Sequence, residues 1–222
     1  NAPVAFAADG SVITDEKGDP LPMMFDYGGK NYVFKGGDAI YADINHDGLL
    51  DENDVVFLGS ADPVVYGGFQ NNFLIGKGLS IGIYFTYSVG GYIYNLSELY
   101  AASGSASPNK FRKMLGAWTK DNPTSDICKA GFDDTLASSK SVYDASWVRL
   151  KSVNINYSIP LSSKAKKVIK EISLGLSGDN LWLWKKYPGF DPDVNTSSAV
   201  FRLDNGSFPR SRTYAFNIQV RF

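Results

Sequence analysis

The 222-residue sequence contains very little cysteine, histidine or net charge. Its single cysteine, Cys128, excludes an internal disulfide, and one cysteine with one histidine argues against a zinc site or a Cys/His catalytic pair. A formal net charge of −1 provides no field that would attract nucleic acid. No apolar run reaches the roughly 18 residues that a membrane-spanning helix needs. The start at Asn1 carries no basic, apolar leader, so we expect a mature secreted chain or a piece of a longer one.

Aromatic residues and glycine are abundant instead, and from about residue 64 apolar and polar residues alternate. The clearest alternation follows a tight turn at Ile75-Gly76-Lys77-Gly78. Bulky side chains there share one parity and small or polar ones the other: Leu79, Ile81, Ile83, Phe85 and Tyr87 against Ser80, Gly82, Tyr84, Thr86 and Ser88. This period of two predicts a long β-strand with one strongly apolar face.

Alternation of this kind predicts five long strands in the second part of the chain, residues 64–222. Their predicted bounds are 64–75, 79–90, 145–159, 171–185 and 212–222. The apolar parity changes within the third strand, which predicts a β-bulge near Lys151-Ser152. The last strand alternates Tyr214, Phe216, Ile218, Val220 and Phe222 with Ala215, Asn217, Gln219 and Arg221.

The remaining residues predict loops with little regular structure. Residues 1–63 form one loop region, with short strands near Met23–Tyr27 and Tyr32–Phe34 between glycine-rich turns. Two further long loops are predicted at 91–142 and 187–211. Within the first of them, apolar residues at helical spacing predict a short helix over Pro108–Trp118.

Alternating strands fit a β-sandwich as well as a transmembrane β-barrel, because both give each strand one apolar environment. Strands of about eleven to fifteen residues favour the barrel, since soluble folds average about five or six. Short and long connections alternate, as periplasmic turns and extracellular loops do. The aromatic strand ending in Phe222 is typical of the signal that outer-membrane assembly machinery reads. Five strands cannot close a barrel, so we expect the rest of the sheet to come from elsewhere.

One acidic segment, residues 43–54, has the spacing of an EF-hand calcium loop. The oxygen ligands fall at loop positions 1, 3, 5, 7, 9 and 12, and are Asp43, Asn45, Asp47, the Leu49 carbonyl, Asp51 and Asp54. Gly48 supplies the sharp turn at position 6, while Asp54 replaces the usual glutamate, as in dockerin-like loops. We expect a structural Ca²⁺ here; the alternative is an Asx/Gly turn that binds nothing.

Other residues give weaker indications of chemistry. Asp191 and Asp193 have the residue type of an acid/base pair, but carboxylates beside proline and glycine are more often turn-forming. Trp182, Trp184 and Tyr187 fit either a sugar platform or the aromatic girdle of a barrel. No nucleophile elbow, P-loop or dinucleotide fingerprint is present, so we do not expect an enzyme.

Taken in order, several segments resemble the C-terminal region of the SusC/RagA family of TonB-dependent outer-membrane transporters from Bacteroidetes. These are Gly37–Gly48, Leu58-Gly59 with Pro63 and Gly67-Gly68-Phe69, Ala145–Lys151, Tyr157–Pro160, Gly178–Leu181, Lys186–Val194 and Phe208–Thr213. The resemblance covers nearly the whole chain, and its co-linear order makes it specific.

The resemblance implies the last five strands of a 22-stranded antiparallel barrel, all-β, that crosses the bacterial outer membrane many times. It further implies a plug domain, a TonB contact through an N-terminal part, and a SusD-like lipoprotein lid over a glycan or peptide importer. The calcium loop and the loops at 91–142 and 187–211 would then be extracellular. The alternative is a secreted, calcium-stabilised β-sandwich that binds carbohydrate; a dockerin-like adhesion piece would need a second calcium loop.

Overall fold

The computed structural model describes residues 3–104, 109–132, 136–164, 167–194 and 202–222. Strands make up 42% of the structure and helices 9%, which confirms the all-β prediction. Within the described ranges, no helix is long and apolar enough to cross a membrane. The chain divides into two compact units: Asn1–Leu58 with Leu96–Ser141, and Gly59–Asn95 with Val142–Phe222. Most of the 91–142 segment, which the sequence had suggested as a loop between strands, thus groups with the N-terminal residues.

The first unit is built on a small sheet. Strands β1 (Met24–Tyr27) and β2 (Lys30–Val33) form an antiparallel hairpin, and β3 (Leu49–Leu50) pairs parallel to β1. The hairpin turns at Gly28 and Gly29, whose φ angles of 61° and 75° are accessible to glycine at no steric cost. The core behind it consists of buried Met23, Phe34 and Leu50, against which Phe25, Tyr32, Tyr41 and Phe132 pack.

The helical segments of this unit are short. The predicted helix over Pro108–Trp118 is reduced to a 3₁₀ helix at Arg112–Gly116; Pro108 itself lies outside the described residues. The residue at its N-cap is Phe111, whose side chain cannot accept a hydrogen bond from the first backbone N–H groups of the helix. The helix α1 (Leu96–Ala101) was not predicted, because six residues are too few to establish a 3.6-residue period. Two further 3₁₀ turns lie at Glu52–Asp54 and Ser139–Ser141.

The second unit contains a five-stranded, fully antiparallel sheet in the order β11-β9-β8-β5-β4. Its strands are β4 (Val65–Ile75), β5 (Leu79–Val89), β8 (Trp147–Ser158), β9 (Glu171–Lys185) and β11 (Thr213–Arg221). Each lies within two residues of the bounds that the alternation predicted. The hairpin between β4 and β5 turns at Gly76, with a φ of 60°.

One β-bulge in β8 interrupts the register with both of its neighbouring strands. The pairing of β8 with β9 shifts between Leu150 and Ser152, which confirms the predicted bulge. Opposite it, Asn180 has a φ of 52°, in the left-handed region where asparagine is tolerated, and its amide oxygen accepts a hydrogen bond from Lys151 at 3.3 Å. The pairing of β8 with β5 shifts at the same residue, because Tyr84 pairs with Ser152 and Phe85 with Leu150, so that Lys151 is skipped on this side as well.

A second, three-stranded sheet completes this unit. It has the order β10-β6-β7 and consists of β6 (Tyr92–Asn95), β7 (Val142–Asp144) and β10 (Leu203–Asp204). Buried Ile93, Ala145 and Tyr187 form its core, with Tyr143 and Val194 packed against them.

Candidate functional site

The five-stranded sheet has one face that is apolar across all five strands. The register places Phe73, Ile81, Ile155, Leu176 and Phe216 in one continuous row. These side chains are not covered: Phe73 is 44% exposed, Leu176 51% and Phe216 64%. Contiguous exposed apolar surface of this extent marks an interface with protein or lipid rather than with water.

The opposite face is polar and largely uncharged. Two successive rows across the sheet are Leu74-Ser80-Asn156-Gly175-Asn217 and Asn72-Gly82-Asn154-Ser177-Ala215. Gly175 leaves room for two amides, since an added Cβ there would lie 1.9 Å from Oδ1 of Asn217 and 2.9 Å from that of Asn156, and these side chains would have to move. The face can therefore offer hydrogen bonds but has no fixed charge in these rows.

Charges gather on the polar face at the end of the sheet where β8 begins. There Arg149 is 3% exposed, and one of its Nη atoms lies 2.7 Å from Oδ1 of Asp191, which is 2% exposed. The same Nη lies 3.6 Å from Asp193, whose other partner is Nε of Arg210 at 3.0 Å. The guanidinium also lies 5.1 Å from the ring of Trp147. The Arg149–Asp191 pair is desolvated, of the kind that is costly to break by removing one partner, whereas Asp193 and Arg210 are 34% and 47% exposed.

A buried hydrogen bond holds the chain that follows β9. The Tyr187 hydroxyl, in a side chain that is 1% exposed, donates to Asp204 at 2.6 Å. Lys185 donates to the carbonyls of Tyr187 and Gly189, and the Tyr143 ring lies edge-on to Tyr187 at 5.9 Å. The interpretation of Tyr187 as a sugar platform or girdle residue is therefore wrong, because its ring is inaccessible.

Asp144, at the end of β7, fixes the start of β8. It accepts hydrogen bonds from the backbone and the hydroxyl of Ser146 and from Lys186 Nζ at 2.8 Å. Burial alone would raise the pKa of Asp144, but these hydrogen bonds and the Lys186 charge outweigh it, and the pKa lies below 3.8.

The acidic loop lies in the first unit and is folded around its own carboxylates. Asp43 accepts from the backbone of His46 at 2.7 Å and of Gly48 at 2.8 Å. Asp54 closes the loop, accepting from Ile44 at 2.7 Å and from Asp51 at 2.9 Å. Gly48, with a φ of 85°, makes the sharp turn that the motif requires at position 6.

The fit of this loop to a cation is partial. Each carboxylate oxygen that accepts one backbone N–H keeps a second lone pair, so these bonds orient the oxygens without exhausting them. Nevertheless, no three acidic, histidine or cysteine side chains among the described residues already converge as metal ligands. His46 is exposed. One loop, closed by Asp54, carries all six predicted ligands: Asp43, Asn45, Asp47, Leu49, Asp51 and Asp54.

The other candidates from the sequence separate into structural and surface residues. Asp191 and Asp193 are paired with arginines, which favours the structural interpretation over an acid/base pair. Trp182 and Trp184 are 49% and 47% exposed on the apolar face, as a girdle requires. The sequence analysis did not single out Arg149 as an ion-pair residue. The feature that could have indicated it is a positive charge within the alternating segment Trp147-Val148-Arg149-Leu150.

Comparisons with known proteins agree with this geometry. The chain is 33% identical over 193 residues to TonB-dependent receptor P3 of Formosa agariphila, an alignment that covers 84% of this chain and 19% of the relative. It is also 33% identical to TonB-dependent receptor P26 of the same organism, over 84% of this chain and 20% of that one. No family model matches.

Solved structures give the same result. The structure of the RagAB peptide transporter superposes with a TM-score of 0.61 at 31% identity, covering 72% of this chain and 17% of that one. The RagAB peptide importer in its closed-closed state covers 99% of this chain with a TM-score of 0.65; at 23% identity it supports the fold alone.

An exposed apolar face backed by a polar one, on strands of nine to fifteen residues, is the pattern that the strands of membrane β-barrels have. The chain therefore matches part of the TonB-dependent receptors and of the RagAB transporter, as a SusC/RagA-like fragment. It spans about a fifth of the length of the curated relatives it matches.

Proposed function

We propose that the chain is the C-terminal part of a TonB-dependent outer-membrane importer and provides the last five strands of its 22-stranded barrel. The observation that carries this proposal is the five-stranded sheet with one face apolar and exposed on every strand. In a barrel of this class that face meets lipid, and the polar face lines the interior. Similarity to TonB-dependent receptors and to RagAB supports an outer-membrane importer.

The complete importer takes up oligomeric nutrients, either glycans or peptides. RagAB, a structural neighbour, is a peptide transporter, which supports peptides. The interior face of this chain favours neither, because amide and hydroxyl side chains bond sugar hydroxyls and peptide groups alike. In this proposal the partners are the plug and the other barrel strands, a SusD-like lipoprotein, TonB and outer-membrane lipid. No residue pattern here supports an enzymatic role.

Calcium is part of the proposal as a structural ion of the acidic loop. Asp43 and Asp54 would supply oxygens at the two ends of the loop, with Asn45, Asp47, the Leu49 carbonyl and Asp51 between them. A bound Ca²⁺ would offset two of the four negative charges that the aspartates of this loop carry. We expect added EGTA to lower the melting temperature of the detergent-solubilised importer, and Ca²⁺ to restore it. The double variant Asp43→Asn/Asp54→Asn should not respond; an equal response in both would refute the site.

Import itself is tested by deleting the gene in its host. The deletion strain is grown on defined oligopeptides or on individual polysaccharides as the sole nutrient, beside a strain lacking TonB. We expect a growth defect on at least one nutrient, shared by both strains and restored by the complete gene. Undiminished growth on every nutrient that requires TonB would contradict the proposal.

The secreted β-sandwich remains the alternative. In a sandwich the apolar face of each sheet turns inward against the other sheet. Here Phe216, Ile218 and Leu176 are 51% to 64% exposed. The exposure of this face therefore favours the barrel.

A further inference from the structure

The polar face of the large sheet is covered at one end, whereas the apolar face of the same end is open. Ser88 and Arg149 lie on the polar face, and each is only 3% exposed. On the apolar face at the same level, Trp184 is 47% and Val89 45% exposed. The chain that buries Ser88 and Arg149 must therefore lie on the polar side.

Two segments provide this cover, residues 186–194 and 202–210, which we call the two limbs. The first limb is tied to the sheet by Asp191, whose Oδ1 lies 2.7 Å from Arg149. The second is tied by Arg202, which donates to the Ser88 hydroxyl at 3.0 Å. Both anchoring residues of the sheet, Arg149 and Ser88, belong to its polar face.

The limbs are also tied to each other. Tyr187 of the first donates to Asp204 of the second at 2.6 Å, and both side chains are buried. Arg210 of the second lies 3.0 Å from Asp193 of the first. Two independent ties between the limbs and two to the sheet indicate a fixed element, not a loop that extends into solvent.

We propose that the two limbs form an inward-folded constriction of the barrel interior, positioned by the buried Arg149–Asp191 ion pair. The proposal rests on the proposed function, because the polar face lines an interior only in a closed barrel. Solutes then pass beside charged residues at this end and reach uncharged amide and hydroxyl rows further along the sheet. Arg149 and Asp191 are positioning residues: they hold the constriction, which limits the size of what enters.

Accessibility of Ser88 tests the cover. The complete importer carries Cys128→Ala and Ser88→Cys, and intact cells are treated with a membrane-impermeant maleimide. We expect slow labelling of Cys at 88 in this background and labelling at least about tenfold faster after Asp191→Asn, because the variant leaves Arg149 buried without its partner. The matched control is Glu171→Gln, which removes the exposed Arg221–Glu171 pair at the opposite end of the sheet and should not change the rate.

Sensitivity of the cells to vancomycin, a bulky hydrophilic probe, tests the constriction. We expect Asp191→Asn to increase sensitivity several-fold, and only where TonB is present, while Glu171→Gln leaves it unchanged. If Asp191→Asn does not accumulate as a folded barrel on gels, Asp193→Asn replaces it, since that residue is 34% exposed and lies 3.6 Å from Arg149.

The outcomes separate the claims. Fast labelling at position 88 in the protein that retains Asp191 would show that the two limbs do not cover this position. Faster labelling of the variant without a change in vancomycin sensitivity would overturn the constriction. Absence of the protein from the outer membrane would contradict the proposed function and with it the constriction, whereas the cover over Ser88 would still be tested by the labelling contrast on the solubilised protein.

Discussion

A lysine placed on the apolar face should prevent stable insertion, whereas a lysine on the neighbouring residue should not. Phe216 lies in the middle of β11, in a row whose members are all apolar, and is 64% exposed. If that row meets the bilayer near its midplane, Phe216→Lys destabilises the barrel by about 2–4 kcal/mol. That is a shift of roughly 30- to 700-fold in the folding equilibrium. Ala215, the next residue on the same strand, points to the polar face, so Ala215→Lys should change stability by less than about 0.5 kcal/mol.

The assay is the urea dependence of folding of the complete importer in lipid vesicles. Folded and unfolded protein are separated by their different migration on unheated gels. Phe216→Lys should move the midpoint to a lower urea concentration and Ala215→Lys should leave it in place. Equal effects of the two variants, or a larger effect of Ala215→Lys, would refute the assignment of the faces.

Two further variants test packing within the second unit. Gly175→Ala places a Cβ against Oδ1 of Asn217 and should cost about 1–3 kcal/mol in unfolding measurements; Gly116→Ala, which has open space around it, is the control and should be neutral or nearly so. Tyr187→Phe removes the donor to buried Asp204 and should cost about 1–3 kcal/mol; an unchanged midpoint would show that this hydrogen bond is not needed.

The strands were predictable because their signal is local. A period of two in the side chains of β5 or β11 is set by the pleat, and it appears wherever one face meets an apolar environment. The change of parity at Lys151-Ser152 gave the bulge for the same reason. The parity of β5 stays intact opposite this bulge, because the extra residue, Lys151, belongs to β8.

The contacts of the candidate sites depend on residues that are distant in sequence. Arg149 meets Asp191 across 42 positions and Arg202 meets Ser88 across 114, and neither pair has a local pattern. The acidic loop is the opposite case, because all six proposed ligands lie within twelve residues. Its spacing can be read directly, but whether the oxygens bind an ion depends on affinity, which spacing does not fix.

The short helix α1 and the grouping of residues 96–141 with the N-terminal residues were beyond prediction for a related reason. Residues 112–115 favour a helix, but this segment is short and ends at Gly116, and it forms only a 3₁₀ helix. A long segment between two strands is predicted as a loop by default, since its partners are not adjacent in sequence.

The most direct test of the central claim is to fractionate the source cells and size the polypeptide that carries these peptides on a denaturing gel. The aligned 193 residues are 19% of one relative, so the complete protein should contain about a thousand residues. We expect it in the outer-membrane fraction, released only by detergent. A species of about 24 kDa, the 24.3 kDa of this chain alone, that stays in solution without detergent would contradict the account.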